Sequence, residues 1–267
     1  MFQTFPHFHF FTFSPTKYRV SKEKIIVALD VETAAEAREI VAELREEVGA
    51  FKIGLQLFTA VGSSFVRELV GGGIKIFLDV KFHDIPNTVA KASIEVARLG
   101  VWMFNIHALG GGEMMQKTVE NVQEICNKEN LQKPKIIGVT VLTSSNQETL
   151  RETGLEREVA AQVLNLAQLS AKYGLDGVVA SPLETKMIRA NIANQDFLIV
   201  TPGIRPKMNA EFETFDDQKR VMTAKEAIEN GANYLVIGRP ILQADNKLTA
   251  VRKILEEIES KSFESRL

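Results

Sequence analysis

The chain has 267 residues, 45% of them hydrophobic, enough to bury the core of one large domain or two small ones. Lys and Arg (32) nearly balance Asp and Glu (34), so no basic block points to nucleic acid and no acidic tail to disorder. A single cysteine, Cys126, excludes an internal disulfide, and no apolar run approaches the ~18 residues of a membrane span; a reducing, cytoplasmic setting fits both.

The chain opens on MFQTFPHFHFFTFSPTKYRV, rich in phenylalanine and without charge before Lys17. An early positive region, a continuous apolar stretch and a cleavage site are all missing, so this does not read as a signal peptide. Residues 1–22 are expected to form a disordered or loosely packed extension, and residues 23–267 the folded domain. His7 and His9 offer no more than adventitious metal binding, and no metal site is expected.

From Lys24 the sequence alternates. KIIVALD reads as a strand and TAAEAREIVAELREEVG as an amphipathic helix. AFKIGL and LFTAVGSSFVRELVGGG repeat the pair, then IKIFLDV and PNTVAKASIEVARLG, where proline suits a first helical turn. WMFNIHA, KIIGVTVL, DGVVAS, FLIVTPG and NYLVIGR continue the strands. GEMMQKTVENVQEIC, REVAAQVLNLAQLSAKYG, LETKMIRANI and AKEAIENG separate them, and NKLTAVRKILEEIES closes the chain. Cys126 falls in a helical pattern, where buried filler is its expected role. The strands are short, β-branched and apolar on both faces, as buried parallel strands are. Eight strand–helix units without a composition break predict a closed (β/α)₈ TIM barrel, an α/β fold in one domain. The long polar segment IRPKMNAEFETFDDQKR after the seventh strand reads either as a surface loop or as an active-site lid.

Chemistry in such barrels gathers at the carboxyl ends of the strands. There this sequence delivers Asp30; Lys52; Asp79 and Lys81, with Asp84 beyond; Asn105 and His107; Thr140 and Thr143; Ser181; Thr201, Gly203 and Arg205; and Gly238 and Arg239. In an extended strand, period two puts Asp79 and Lys81 on one face. Lys52, Asp79, Lys81 and Asp84 are expected to form an alternating array whose charges would keep one another ionised. A structural ion pair for Asp79 and Lys81, and a helix cap for Asp84, are the plainer alternatives. Gly203 and Gly238 allow close backbone approach, and Arg239 can grip phosphate oxygens in a fork. His107 reads as a general base or, more plainly, as a histidine locked by backbone groups. The run Gly110–Gly112 reads as a phosphate cradle or as the start of a helix.

The motifs IIVALD, FKIGLQLF, FLDVKFHDIPNTV, NIHALGG, GVTVLTS, TPGIRP, DDQKRVMT and YLVIGRPI resemble those of the orotidine 5′-phosphate decarboxylase family, bacterial type, from about Lys24 to Ile258. The third motif carries the family's aspartate-x-lysine-x-x-aspartate signature. The resemblance implies cofactor-free conversion of orotidine 5′-phosphate to uridine 5′-phosphate by a homodimer with its sites at the interface. It implies that Lys81 donates a proton to C6 of the pyrimidine and that Asp79 lies beside the substrate carboxylate. Lys52 would complete the array and touch the ribose, which Asp30 also binds. Asp84 and Thr88 would reach the ribose from the partner subunit. Thr143 would meet the pyrimidine edge, while Gln218, Arg239 and the Gly238 backbone hold phosphate with Arg205 nearby.

Two other readings compete. Metal-dependent sugar-phosphate decarboxylases and aldolases of the same superfamily share the aspartate-x-lysine motif, but carry a metal-binding glutamate where this chain has Lys52. A catalytically silent nucleotide-binding barrel would have no use for a complete charged array.

Overall fold

The structure, a computed structural model, describes residues 19–205 and 221–260. In chain order these form α1 (Arg19–Lys22), β1 (Ile25–Ala28), α2 (Ala34–Leu44), β2 (Ala50–Gly54), α3 (Leu55–Gly71), β3 (Ile76–Phe82), α4 (Pro86–Arg98) and β4 (Met103–His107). A 3₁₀ turn, Ala108–Gly110, leads into α5 (Gly111–Glu129), β5 (Lys135–Val139), α6 (Gln147–Glu152), α7 (Val159–Lys172) and β6 (Gly177–Val179). The rest is α8 (Thr185–Asn191), β7 (Leu198–Thr201), α9 (Ala224–Glu229), β8 (Tyr234–Ile237), α10 (Arg239–Leu242) and α11 (Lys247–Glu259).

Each strand pairs in parallel with the next, and β8 returns to β1, closing an eight-stranded barrel. All eight predicted strands are present in the predicted order. Of the N-terminal extension, Arg19–Lys22 form a helical turn against α11; residues 1–18, with His7 and His9, lie outside the described residues.

Local chemistry accounts for the helix starts. Thr33 caps α2 and Thr223 caps α9, each in a reciprocal box with a glutamate three residues on. Pro86 opens α4, where its missing N–H costs nothing. One predicted helix is interrupted: within α3, Gly62 takes φ 70°, a left-handed value that breaks the regular path and that glycine adopts without steric penalty. The loop after β5 is also more ordered than its polarity suggests, folding into α6 under an Asn146 cap.

The strands are apolar on both faces because each face has its own core. Outward residues such as Val27, Ile53, Leu78, Phe104, Ile199 and Leu235 pack under the helices. Inward residues Ile26, Ala28, Ala50, Phe77, Met103, Ile137, Val200 and Val236 fill the barrel. Trp102 and Tyr234 meet edge to face at 5.0 Å against this inner cluster, at the amino-terminal ends of β4 and β8. The barrel is therefore packed below and can open only at the other end, where the strands finish. Cys126 is buried among the outer core, as expected of a filler.

Candidate active site

The inward rows turn polar as the strands end. On β2 the residue two beyond Ala50 is Lys52; on β3 those beyond Phe77 are Asp79 and Lys81; on β4 the one beyond Met103 is Asn105. Ala28 is followed two residues on by Asp30, and Val236 by Gly238. The apolar plug thus gives way to a ring of charge over about one layer of side chains.

The Lys52 ammonium lies 3.1 Å from Asp30 Oδ1 and 3.4 Å from Asp79 Oδ2. Lys81 Nζ donates to Asp79 Oδ1 at 2.7 Å. Asp30, Lys52, Asp79 and Lys81 therefore form one alternating chain of charge. Burial alone would suppress charge on Lys52, but Asp79 and Asp30 outweigh it, and the ammonium is held above the ordinary lysine range. Burial likewise acts to raise Asp79, yet Lys52 and Lys81, with hydrogen bonds from Lys81 and Asn105, hold the carboxyl below the ordinary aspartate value. Both groups stay ionised at neutral pH although nearly buried.

The array rests on an irregular strand, which corrects the extended geometry expected for Asp79 and Lys81. Register runs from Leu78 opposite Phe104 to Phe82 opposite Ile106, so four steps on β3 match two on β4. Within this bulge Lys81 has φ 51°, a left-handed conformation costing a non-glycine residue ~1–2 kcal/mol. Its N–H donates to the Asn105 side-chain oxygen at 2.7 Å. The two charges therefore meet across a bulge and not along a regular extended strand.

Above the array lies a cavity of about 370 Å³. Of the residues picked out in the sequence, it brings together Asp30, Lys52, Asp79, Lys81, Thr143, Gly203, Arg205, Gly238 and Arg239. Phe77, Val139, Val179 and Val236 supply an apolar floor, so the charges stand beside a dry wall. Two glycines make room. A Cβ on Gly54 would lie 3.0 Å from Lys52 Nζ, and one on Gly238 would lie 3.3 Å from Asp30 Oδ2.

Other candidates fall elsewhere. Asp84, on the β3–α4 connection, and Thr88, in the first turn of α4, are exposed and do not line the cavity. Asp84 makes no ion pair among the described residues of its own chain, where Lys52 pairs with Asp30 as well as Asp79. Nor does Asp84 cap α4: the cap position is Ile85, whose N–H Asp84 accepts at 2.7 Å. His107 lies outside the cavity, accepts from Leu109 N–H at 3.3 Å and stacks on His83 at 5.3 Å, the plainer of its two readings. Burial, then the neighbouring His83 and Lys81, lower its pKa from 6.5 to about 4. The Gly110–Gly112 run serves packing, since a Cβ on Gly112 would strike the Tyr173 ring at 2.3 Å. Thr140 donates to the Val179 carbonyl at 2.8 Å, and Thr201 is buried away from the cavity. Gln218 and most of the lid segment lie outside the described residues, though its flanks meet where Arg205 N–H donates to the Met222 carbonyl at 2.9 Å. Asn105 stands at a strand end with no role legible in the sequence; its parity with Met103 is the signal that it faces inward.

The profile of the Orotidine 5′-phosphate decarboxylase / HUMPS family matches residues 23–254. The chain belongs to this family. It is 51% identical over 238 residues to the orotidine 5′-phosphate decarboxylase of Geotalea daltonii, covering 89% of this chain and 97% of the relative. The enzyme of that name from Geobacter sulfurreducens is also 51% identical, with the same coverage. Among solved structures, orotidine 5′-phosphate decarboxylase from Lactobacillus acidophilus superposes with a TM-score of 0.76 at 36% identity, covering 88% of this chain and 99% of that one. An uncharacterised conserved protein from Geobacillus kaustophilus follows at 0.73 and 31%, covering 88% and 99%. Kinship and the barrel thus agree, and the chain matches these relatives over nearly their whole length.

Proposed function

We propose that this chain decarboxylates orotidine 5′-phosphate to uridine 5′-phosphate, the last step of de novo pyrimidine nucleotide synthesis, without a cofactor. The observation that carries the reading is the Lys81 ammonium, fixed at 2.7 Å from Asp79 on the wall of the cavity. As CO₂ leaves, the electron pair of the broken bond remains on C6, and the ring offers it little delocalisation. A fixed ammonium beside that carbon stabilises the growing charge and gives it a proton. The lysine then regains its proton from water, so one proton is taken up and one CO₂ released. Asp79, kept ionised by its two lysines, stands beside the substrate carboxylate. Asp30 and Lys52 hold the ribose and Thr143 the pyrimidine edge. Arg239, the Gly238 N–H and Arg205 bind the phosphate, whose binding energy helps align the reacting carbon.

The metal-dependent alternative meets a physical obstacle. The Lys52 ammonium already lies between Asp30 and Asp79, where two carboxylates would otherwise gather a cation. The deciding experiment follows pyrimidine absorbance with purified protein, orotidine 5′-phosphate and excess chelator. Conversion to the uridine 5′-phosphate spectrum is expected. No change from folded protein would overturn the reading, and a change abolished only by chelator would favour the metal-dependent one.

The working unit we propose is a cytoplasmic homodimer built from residues 23–267, in which Asp84 and Thr88 complete the partner's cavity. Their exposure, and their absence from the lining of their own chain's cavity, support this. So does a rim of exposed apolar side chains at the strand carboxyl ends, among them Leu55, Ile85, Leu109 and Leu142, with Ile85 67% exposed. Among the described residues no helix is long and apolar enough to cross a membrane.

A further inference from the structure

The bulge that presents Lys81 needs a partner for a backbone N–H that the β3–β4 ladder no longer serves. Asn105 supplies it. The residue is wholly buried on β4 and does not line the cavity. Its side-chain oxygen accepts from Lys81 N–H at 2.7 Å, and its Nδ2 donates to Asp79 Oδ1 at 2.6 Å. Only one orientation of the amide satisfies both neighbours, because a carboxylate must receive and an N–H must give. The same Oδ1 takes the Lys81 ammonium at 2.7 Å, while Lys52 approaches Oδ2 at 3.4 Å. One amide therefore holds Asp79 through its carboxylate and Lys81 through its backbone.

We infer that Asn105 is a positioning residue for the decarboxylation. It holds Lys81 in the left-handed conformation and the Asp79 carboxylate in the rotation that together aim the Lys81 ammonium into the cavity. It touches no substrate and acts through these two groups. Aspartate cannot replace it, since a second carboxylate would face Asp79 at hydrogen-bond distance. Leucine keeps the branched shape and the number of heavy atoms with neither bond, and the smaller serine controls for its bulkier methyl groups. The inference rests on the proposed function for its kinetic consequence, but its structural content does not.

The test is Asn105→Leu, compared with wild type by crystallography and by steady-state kinetics. In the crystal, Lys81 is expected to leave the left-handed region, or its Nζ to part from Asp79 beyond about 3.5 Å. In kinetics, kcat is expected to fall about 100-fold, the scale of a misaligned reacting group, with KM within about 3-fold. A space-filling role alone would leave both readouts at wild-type values. Unchanged Lys81 and Asp79 geometry, or kcat within about 3-fold of wild type, overturns the inference. Should the leucine variant not fold, Asn105→Ser, which removes the reach but leaves room for water, is judged by the same two readouts. Should wild type itself fail to decarboxylate orotidine 5′-phosphate, the proposed function falls, and the crystallographic comparison alone decides the role of Asn105.

Discussion

Lys81 and Asp79 differ in what their loss should cost. Without the Lys81 side chain, Asp79 keeps Lys52 at 3.4 Å and the Asn105 amide at 2.6 Å, so the fold retains a compensated carboxylate. Lys81→Ala is therefore expected to fold normally yet lose about 10⁴-fold or more in kcat, because proton donation and charge stabilisation vanish together. Near wild-type turnover by that variant would refute the proton-donor role. Asp79→Leu removes the carboxylate that two ammonium groups share, leaving Lys52 buried with Asp30 as its remaining acid. Denaturant unfolding should show it less stable by about 3–5 kcal/mol, the range for breaking a buried ion pair. Titration follows from the same environments. His107 binds a proton in the folded chain only near pH 4, but in the unfolded chain near 6.5. Between those values the unfolded state holds more protons, so stability falls as pH drops from about 6.5 toward 4. Urea titrations at pH 7 and pH 5 should show the loss, and His107→Phe should remove the part due to this residue. Asp79 adds a further loss at lower pH, where its stabilisation disappears as the carboxyl protonates below the ordinary 3.8.

Strands and helices set where those residues stand. The bulge on β3 sets how Asp79 and Lys81 meet: Lys81 turns into the left-handed region while Phe82 rejoins β4. At the opposite end of the barrel, one side chain ties three elements. Arg189 on α8 donates through Nε to the Gly231 carbonyl at 2.9 Å, through one terminal nitrogen to the Phe197 carbonyl at 2.6 Å, and through the other to Asn233 Oδ1. Asn233 also accepts from Ile199 N–H at 2.8 Å, so the bracket reaches β7 and the entry to β8. Among the described residues no carboxylate takes part; the guanidinium satisfies carbonyls at a packed end remote from the cavity. Arg189→Met should lower stability by about 3 kcal/mol, the loss of charged hydrogen bonds that leaves acceptors unsatisfied. The fully folded variant should keep wild-type KM. A changed KM with unchanged stability would contradict this division between the two ends.

Across the whole molecule, the proposed dimer makes its own prediction. Lys81→Ala spoils the site on its own chain, whereas Asp84→Asn spoils the site on the other. When the two inactive variants are mixed and allowed to exchange subunits, each mixed dimer has one doubly defective site and one intact site. Half the dimers are mixed under random exchange, so roughly one quarter of wild-type activity should return, given a two-fold symmetric assembly. Activity that stays at the level of the separate variants would show that Asp84 serves its own chain or no site, and sedimentation would then settle the assembly state.

The barrel and its inward rows were legible in the sequence because both follow from local periodicity. Alternation of short apolar strands with amphipathic helices admits few topologies, and period two along each strand tells which residues face inward. That much placed Asp30, Lys52, Asp79, Thr143, Gly238 and Arg239 at one mouth. Tertiary structure alone decided how they pair. That Asp30 pairs with Lys52 within the chain depends on the register between β1 and β2, which leaves no local pattern. Lys81 in a left-handed bulge, and Asn105 bridging its N–H to Asp79, arise from a two-residue slip between neighbouring strands. Hydrogen bonds of that kind link residues 24 and 26 positions apart, and only the folded register brings their atoms within 3 Å.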